Sequence, residues 1–298
     1  MIDRARVVGA ACCVALAVLA LGVCGVSSAT TSRRTASAGP PLNGMLPASI
    51  RKSGKIVVAI EAAFPPMEYK APATNTYDGF DVNFADALGK ALGVKIVFQD
   101  QSFDQLLISL QTHRANMVIS AISDTRTREK RFNFIDYFDS GALAYTSTAQ
   151  SASVHRLSAL CGKTVAVPLG TDFLQTFQSW SKAHCPSGKP ITVSTLGSEE
   201  LCQLQVTQGR DAAAVEGPDE FGWLQKQQPG KFVGIPPVLN PEPYGIVFNK
   251  TDGQLQRAVL AAARELFSDG TYKSLLKKWD VSDDAVPKPT VNAAPAGT

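Results

Sequence analysis

Hydrophobic and polar positions along the chain follow two successive cycles of short apolar runs and amphipathic segments. The first cycle opens with the β-branched run at residues 55–60, which has the composition of a buried parallel strand. Apolar side chains then recur at helical spacing in residues 84–92, which predicts an amphipathic helix. Strand, helix and strand patterns follow at residues 95–100, 103–111 and 117–122. This order predicts a β-α-β-α-β unit with right-handed crossovers and a mostly parallel sheet.

A second cycle of the same plan begins near the middle of the chain. It predicts strands at residues 164–169, 191–196 and 212–217, with helices at residues 172–183 and 198–206 between them. Two α/β units of similar plan predict two lobes, each a mostly parallel sheet flanked by helices, with a ligand cleft between them.

The ends of the predicted strands select the candidate site, because open α/β sheets bind ligands beyond the carboxyl ends of their strands. In the first unit this rule selects Glu61 and residues 120–128. In the second unit it selects residues 170–172 and Glu216. We therefore expect these segments to meet in the cleft.

The first residues have the pattern of an export signal. Two arginines precede an apolar run at residues 7–23, and small residues allow cleavage near Ala29, which predicts a signal peptide spanning residues 1–29. The alternative uses residues 21–24, which resemble a bacterial lipobox in which Cys24 would be lipidated. Both alternatives predict an exported protein, either lipid-anchored at the extracellular face of the cytoplasmic membrane or periplasmic.

Two other segments have compositions that do not build a core. Residues 30–50 are rich in small and polar residues and predict a flexible tether, which favours the lipidated alternative. Residues 283–298 are rich in Pro and Ala and predict a disordered tail. After the N-terminal run, no apolar window is long enough to predict a second membrane span.

Export also determines how the cysteines are interpreted. In an oxidising compartment we expect Cys161 to pair with Cys185, closing a loop of about 25 residues worth roughly 3 kcal/mol in the chain-entropy model. Cys202 lies in a helical pattern and is expected to be a small buried hydrophobe rather than a reactive thiol. The cysteines lack CxxC spacing and the histidines are scattered, so we expect no zinc site and no other cofactor.

Charge excludes one class of partner and draws attention to one segment. The net charge is only +3 and no Lys/Arg-rich block is interleaved with aromatic residues, so we expect no nucleic-acid partner.

The stretch SDTRTREKRFNF, residues 123–134, is basic, and Thr125 can cap a helix that has Arg128 in its first turn. A helix N-terminus and a guanidinium fork both favour a carboxylate, but the residues alone favour a solvated basic helix over a specific site.

Six segments occur together in a specific order, although each is weak alone. They are GKIVVAIEAAFPPMEYKAP, YDGFDVNFADALGKALGVKI, FDQLLISLQ, SDTRTREKRFNF, LCGKTVAVPLGTDF and PEPYGIVFN. This ordered set resembles the amino-acid-type extracellular solute-binding proteins of ABC importers, bacterial family 3, over about residues 51–280.

The resemblance implies a type II periplasmic-binding-protein fold and a division of the chain. Lobe 1 would comprise residues 51–145 plus 243–282, and lobe 2 would comprise residues 146–242. Crossings near residues 140–147 and 240–246 would form a hinge that lets the lobes close on the ligand.

The resemblance also implies a set of ligand-binding residues. Arg128 would clamp the α-carboxylate, with help from the Ser123 hydroxyl and the Ala121 backbone. Glu216 stands where family members more often have Asp to bind the α-ammonium group. The full set implied is Glu61, Phe64, Phe103, Ser120, Ala121, Ser123, Arg128, Thr171, Asp172 and Glu216.

Four of these positions bear on which amino acid is bound. Phe64 and Phe103 fall where family members place aromatic rings over and under the ligand side chain. The alternative is that both are ordinary core residues. Glu61 matches a position near the distal end of the ligand, where a carboxylate favours Arg, Lys, ornithine, His or Gln over Glu or Asp. Asp172 departs from the family pattern, and we expect it to turn away from the ligand and cap a helix; if it faces the cleft instead, it reinforces the preference for cations.

The function that the resemblance implies is binding of a polar L-amino acid and its delivery, by a monomer, to an ABC permease with its ATPase subunits. The alternative is a periplasmic enzyme on the same fold, such as a cyclohexadienyl dehydratase, which would need Glu61 or Glu216 as a general acid. A receptor sensor domain would need a following membrane span, and a lytic transglycosylase would need a further catalytic domain. We therefore expect a binding protein rather than an enzyme.

Overall fold

One mixed sheet runs through both lobes, and helices flank it. The computed structural model describes residues 42–296; the predicted signal peptide and the lipidation site at Cys24 lie outside the described residues. The helices in this range are α1 Ala48–Ser53, α2 Phe80–Leu92, α3 Phe103–Gln111, α4 Arg126–Glu129, α5 Phe173–His184, α6 Glu199–Thr207, α7 Pro218–Gln227, α8 Gly253–Ser268 and α9 Thr271–Trp279. The strands are β1 Lys55–Ile60, β2 Ala63–Phe64, β3 Glu68–Lys70, β4 Tyr77–Asp78, β5 Lys95–Asp100, β6 Met117–Val118, β7 Phe132–Ser147, β8 Thr164–Pro168, β9 Thr192–Leu196, β10 Ala213–Glu216, β11 Phe232–Asn249 and β12 Ala285–Val291. Single 3-10 turns lie at Leu42–Met45, Leu157–Leu160 and Ser282–Asp284.

The strand order shows two parallel groups joined by two long antiparallel strands. The main sheet runs β5-β1-β6-β11-β7-β10-β8-β9, and β12 pairs with β7 off this path. β1 is parallel to β5 and β6, and β8 is parallel to β9 and β10. β7 and β11 pair in antiparallel fashion and pass through both groups. The predicted two-lobed α/β fold is thereby confirmed.

The third predicted strand is shorter than its apolar pattern indicates. The pattern covers residues 117–122, but only the two residues of β6 pair in the sheet. After them the backbone turns, and Ala121 adopts a left-handed φ of 42°. The N–H of Ala121 donates instead to Oδ2 of the buried Asp81, at 2.9 Å. A side chain distant in sequence therefore ends this strand, while its residues remain buried.

Each lobe has its own core. In lobe 1 the rings of Phe80, Phe84 and Tyr137 pack with centroids between 5.3 and 6.2 Å apart. In lobe 2 a separate group of buried residues includes Val165 on β8 and Phe177 on α5. Burial of these large apolar side chains is the main source of stability for each lobe.

The crossing between the lobes lies within β7 and β11. Ala142 and Ala144 on β7 pack in the lobe 2 core, although the sequence boundary assigned them to lobe 1. The register between β7 and β11 is broken between Ile235 and Glu242, which marks the same level of the structure. We therefore propose that the first crossing lies near Gly141 rather than after residue 145.

Gly141 lies where the two crossing strands approach most tightly. A Cβ atom at this position would lie 2.6 Å from the Val238 side chain and 3.0 Å from the carbonyl oxygen of Leu239. Contacts below about 3.0 Å are not tolerated by ordinary packing, so any larger residue would push the strands apart.

The predicted disordered tail is wrong for residues 283–296. β12 pairs with β7, and the Phe134 N–H donates to Oδ1 of Asn292 at 2.7 Å. Ala294 is 1% exposed. Proline is tolerated in strands at an edge or an irregular stretch, and the register of β12 is irregular across its prolines. The open edge of β7 supplies the partner that composition alone does not reveal.

The predicted tether also ends earlier than residue 50. Leu46 and Ile50 are buried against the lobe 1 core at 0% and 6% exposure. The Arg51 guanidinium donates to the carbonyl oxygens of Gly44 and Leu46 at 3.0 and 2.9 Å. Residues 42–50 therefore belong to the fold. None of the helices that the structure describes is long and apolar enough to cross a membrane.

The cysteine predictions are confirmed. Cys161 and Cys185 form a disulfide that links the start of β8 to the end of α5. Cys202 on α6 is fully buried and unpaired, and burial raises the pKa of its thiol. A thiol in this setting is a packing group rather than a nucleophile.

Replacing both Cys161 and Cys185 by Ser should lower the free energy of unfolding by about 3 kcal/mol, because the open chain gains conformational entropy when unfolded. Urea denaturation followed by circular dichroism measures this difference. A reductant should destabilise the wild type and the Cys202→Ala variant alike but leave the double variant unchanged. A double variant as stable as the oxidised wild type would contradict the prediction.

Candidate functional site

A cavity lies between the lobes, beyond the carboxyl ends of β1 and β8. Its empty volume is about 480 Å³, including space open to solvent. Seven of the predicted ligand residues line it: Glu61, Phe64, Phe103, Ala121, Ser123, Thr171 and Asp172. The lining is completed by Ala63, Pro168, Phe173, Glu199 and Tyr244, none of which the sequence selected.

The lobes are in contact around this cavity. Gly170, in the loop after β8, has a φ of 89°. A Cβ on Gly170 would lie 3.0 Å from the Cα of Asp104 on α3 of the opposite lobe. Both the backbone conformation and the close approach require glycine at this position. The structure therefore shows the closed arrangement of the two lobes.

Glu61 is held at the cavity wall by backbone contacts. Its N–H donates to the Ser120 hydroxyl at 2.9 Å, and its carboxylate accepts the Phe103 N–H at the start of α3. Burial raises the pKa of Glu61 to about 7, and the negative charges of Glu200 and Asp100 add to the rise. A cation placed beside Glu61 would stabilise the ionised carboxylate and lower its pKa again.

Two predicted ligand contacts are already occupied by the protein. The Ser120 hydroxyl accepts the Glu61 N–H and donates to Oε1 of Glu68 at 2.6 Å. The Ala121 N–H donates to Asp81. Ser120 and the Ala121 amide therefore position the cavity wall, and neither group is free to donate to a ligand.

Arg128 is fixed at the edge of the cavity. Thr125 caps α4, as predicted, by accepting the Arg128 N–H at 3.1 Å. The guanidinium donates to the carbonyl oxygen of Ser123 at 2.8 Å and, across the lobes, to the carbonyl oxygen of Gly170 at 3.2 Å. Arg128 lines a crevice that adjoins the cavity and shares Thr171 with it.

The prediction that Asp172 turns away to cap a helix is wrong. Asp172 precedes α5, but its side chain makes no capping hydrogen bond. It lines the cavity, and its Oδ1 lies 3.6 Å from a guanidinium nitrogen of Arg128. The attraction of the only nearby guanidinium among the described residues outweighs a single backbone hydrogen bond.

Glu242 is a further acid at Arg128 that the sequence did not reveal. It is 4% exposed and lines the same crevice as Arg128. Burial, together with Asp172, raises the pKa of Glu242 to about 10, while Arg128 and the Ser123 hydroxyl oppose the rise. Arg128 therefore lies beside two carboxyl groups, those of Asp172 and Glu242.

Glu216 does not reach the cavity, although the resemblance assigned it the α-ammonium group. It is 1% exposed and lines a second adjoining crevice, behind Glu199. Glu199 lines both spaces, and none of the described N–H or hydroxyl groups donates to either of its carboxyl oxygens. The two carboxyl groups are close enough to share a proton, and burial raises the pKa of Glu199 well above its ordinary range and that of Glu216 to about 8.

Glu199 carried a weak signal in the sequence. It follows Ser198, the N-cap of α6, and an acid in the first turn of a helix is common because it faces the positive end of the helix dipole. Nothing in that local pattern indicates that the helix end points into a cleft. The tertiary structure alone distinguishes Glu199 from an ordinary capping acid.

The cavity therefore adjoins two chemically different crevices. One is the crevice of Arg128. The other is the crevice lined by Glu199, Glu216 and Glu220. Such an arrangement suits a ligand with one carboxylate and at least one ammonium or guanidinium group.

Comparison with known proteins gives relatives of one kind. The arginine-binding protein ArgT of Corynebacterium glutamicum is 24% identical over 259 residues, covering 86% of this chain and 84% of that protein. The L-cystine-binding protein TcyJ of Escherichia coli is 26% identical over 236 residues, covering 78% and 85%. A solved structure of an ancestral arginine-binding protein bound to arginine superposes with a TM-score of 0.70 at 29% identity, covering 76% of this chain and 98% of that one.

The family assignment rests on a family model that matches more than half of the chain. Residues 56–282 match the family described as bacterial extracellular solute-binding proteins, family 3. That span includes lobe 2, most of lobe 1, the two crossings and every residue that lines the cavity. The chain belongs to the bacterial extracellular solute-binding proteins of family 3.

Proposed function

We propose that this protein binds an L-amino acid with a cationic side chain, arginine above all, and delivers it to the permease of an ABC importer. Lysine, ornithine, histidine and glutamine are weaker candidates of the same class. The observation that carries the proposal is the unequal charge of the cavity: the side chains of Glu61, Asp172 and Glu199 line it, whereas Arg128 is the cation at its edge.

The proposed pose follows from the two adjoining crevices and from Glu61 on the cavity wall. The α-carboxylate pairs with the Arg128 guanidinium and displaces Asp172, which lies only at ion-pair distance. The α-ammonium group meets Glu199, with Glu216 behind it as a second acceptor. The distal cationic group meets Glu61, and the rings of Phe64 and Phe103 pack against the aliphatic part of the ligand.

Net charge distinguishes this ligand class from neutral and acidic amino acids. A zwitterion adds one negative and one positive charge, which leaves one of the buried carboxylates without a partner. An uncompensated buried charge is costly, whereas a second cation on the ligand removes that cost. The relatives compared above include proteins described as binding arginine and cystine, so family membership alone does not decide the ligand.

An enzymatic function is the alternative. The relatives compared above are described as binding proteins. Glu61 has a pKa near neutrality, as a general acid requires, but it is accompanied by further carboxylates rather than by an electrophile or a nucleophile among the described residues. Turnover of prephenate or arogenate by the purified protein would favour the enzyme.

We place the protein outside the cytoplasmic membrane as a monomer that meets its permease through the closed lobes. Family membership supports export, and Arg128 and Asp172 form an ion pair across the lobes, as a closing cleft would need. Anchoring through lipid at Cys24 stays a prediction from the sequence.

Isothermal titration of the ligand-free protein, prepared by unfolding and refolding, should show one-to-one binding that is tightest for arginine. Lysine and ornithine should bind more weakly, and glutamate should not bind measurably, because it adds a charge of the wrong sign. Tight binding of glutamate would overturn the role of the carboxylates. Tight binding of cystine, without binding of the cationic amino acids, would still support a role in transport but with a different ligand.

The matched variants are Arg128→Ala, Glu61→Gln and Glu265→Gln. Removing one partner of a buried charged hydrogen bond costs 2–5 kcal/mol, so Arg128→Ala should weaken arginine binding by about 100-fold. Glu61→Gln should weaken arginine more than glutamine. Glu265→Gln removes an exposed acid on α8 and should change neither affinity. Unaltered affinity in a folded Arg128→Ala variant would refute the carboxylate clamp.

Asp172→Asn should strengthen binding of arginine by roughly fivefold, because the ligand no longer competes with an internal carboxylate for Arg128. This magnitude corresponds to about 1 kcal/mol for a partly exposed ion pair. The substitution keeps the size of the side chain, and titration calorimetry measures the change. Weaker binding would show that Asp172 contacts the cationic part of the ligand instead.

Arginine affinity should rise as the pH increases from about 6 to 8. Glu61 and Glu216 have pKa values of about 7 and 8 in the ligand-free protein, so they are protonated at the lower pH and must release protons when a cation binds. Titrations in buffers of different ionisation enthalpy measure the protons released. The Glu61→Gln variant should show a smaller pH dependence, and an affinity that falls with pH would contradict the assignment.

A further inference from the structure

A second crevice between the lobes lies apart from the amino-acid cavity. It separates α7 of lobe 2 from the end of α9 and the following turn of lobe 1, and it shares no lining residue with the cavity. Its empty volume is about 760 Å³, including space open to solvent. The lining residues used below are Asp219, Trp223, Lys226, Trp279, Asp283 and Asp284.

This crevice is rich in carboxyl groups. Four aspartates line it against a single lysine. The Lys226 ammonium pairs with Asp280, and this ion pair joins the two lobes at the exposed rim. Asp219, Asp283 and Asp284 are then left without a cation among the lining residues.

Asp219 is the acid that indicates a ligand rather than a solvated surface. It lies in the first turn of α7 and is 6% exposed. Its Oδ1 accepts the Ser140 hydroxyl at 2.9 Å, whereas Oδ2 accepts from no described N–H or hydroxyl group; the carboxyl groups of Asp219 and Glu220 share a hydrogen bond. A buried carboxylate is unfavourable without a nearby positive charge, so a cation beside Asp219 would lower that cost.

Aromatic rings form the rest of the wall. Trp223 and Trp279 line the crevice from opposite lobes. The Tyr69 ring connects them, with its centroid 6.3 Å from that of Trp223 and 6.1 Å from that of Trp279. The Lys278 ammonium already lies over the Trp279 ring, 4.8 Å from its centroid. Ring faces of this kind attract cations, and they do so best when the cation carries alkyl groups that also bury apolar surface.

The geometry selects an organic cation over a metal ion. A divalent metal needs several oxygen or nitrogen ligands around one point. No group of three or more His, Cys, Asp or Glu side chains in residues 42–296 is arranged to hold one. Two indole rings beside separated carboxylates instead match an alkylated ammonium group, which takes charge compensation without a coordination shell.

We propose that this crevice is a second binding site, for a small quaternary or alkylated ammonium ion. The site does not depend on which amino acid the main cavity binds. Both lobes line it, so it is complete only in the closed arrangement. A cation there and a ligand in the main cavity should each strengthen binding of the other, because both favour the same arrangement.

Tryptophan fluorescence tests the proposal directly. The protein has three tryptophans, and Trp180 lies elsewhere, stacked on His184. In a Trp180→Phe background the remaining two tryptophans are those of the crevice. Titration with tetramethylammonium chloride, with and without arginine, should give a saturable change in emission, whereas sodium chloride at equal ionic strength should not.

Variants of the wall locate the binding. Asp219→Asn and Trp223→Leu should each weaken tetramethylammonium binding by roughly fivefold or more, in line with the lower range of cation–π and buried-charge contacts. Each variant is checked for an unchanged far-UV spectrum and thermal transition. Glu265→Gln, which removes an exposed acid on α8, should leave the affinity for tetramethylammonium unchanged.

Two outcomes overturn the proposal. One is a fluorescence change that does not saturate in either condition, or that the wall variants leave unaltered. The other is binding that survives Asp219→Asn but is lost in Glu61→Gln, which would place the cation in the main cavity. Failure of arginine to bind would refute the proposed function alone, since the tetramethylammonium titration does not require it.

Discussion

The pairing of β7 with β11 is the constraint on which the rest of the structure depends. These two strands are the backbone shared by both lobes, and each lobe builds its parallel strands outward from them. At the level of Gly141 the ladder loses its register, and the strands pass so closely that a side chain would not fit. The lobes are therefore joined through a narrow crossing. The cavity lies beside that crossing, where small rotations change the distance between Arg128 and Asp172.

Buried carboxyl groups are the second organising feature. Four acids are each more than nine-tenths buried: Glu199 at the start of α6, Glu216 at the end of β10, and Asp219 and Glu220 in the first turn of α7. Burial raises the pKa of each, so the ligand-free protein reduces the cost by holding protons. The free-energy cost of burying these carboxyl groups is therefore concentrated at the place where a bound cation would compensate for it.

The local pattern of the sequence predicted most of the fold, because helix and strand periodicity reflect burial. β1 and α3 begin and end where the apolar pattern does. β6 does not, because Asp81, distant in sequence, captures the Ala121 N–H that would have continued the ladder. β12 was missed for the opposite reason: its composition is that of a disordered segment, and only the open edge of β7 makes it a strand.

The candidate site was predictable where the residues follow a strand end, and less so where two lobes meet. Glu61 and Ser123 line the cavity because topology places them there. Glu199 and Glu242 could not be selected, since a capping acid and a strand acid carry no local sign of a cleft. Asp172 was misread because the pattern shows the helix it precedes but not the guanidinium that reaches it from the other lobe.

The path of β12 has a consequence for how the chain is made. Lobe 2 is one continuous stretch between the two crossings, and its disulfide closes within that stretch. Lobe 1 is assembled from the beginning, the middle and the end of the chain, and β12 is the last piece to join its sheet. Since domains fold in the order in which their residues emerge, lobe 2 can be complete while lobe 1 still waits for its final strand. A chain that ended between the second crossing and β12 would contain all of lobe 2 but would lack the last strand of lobe 1.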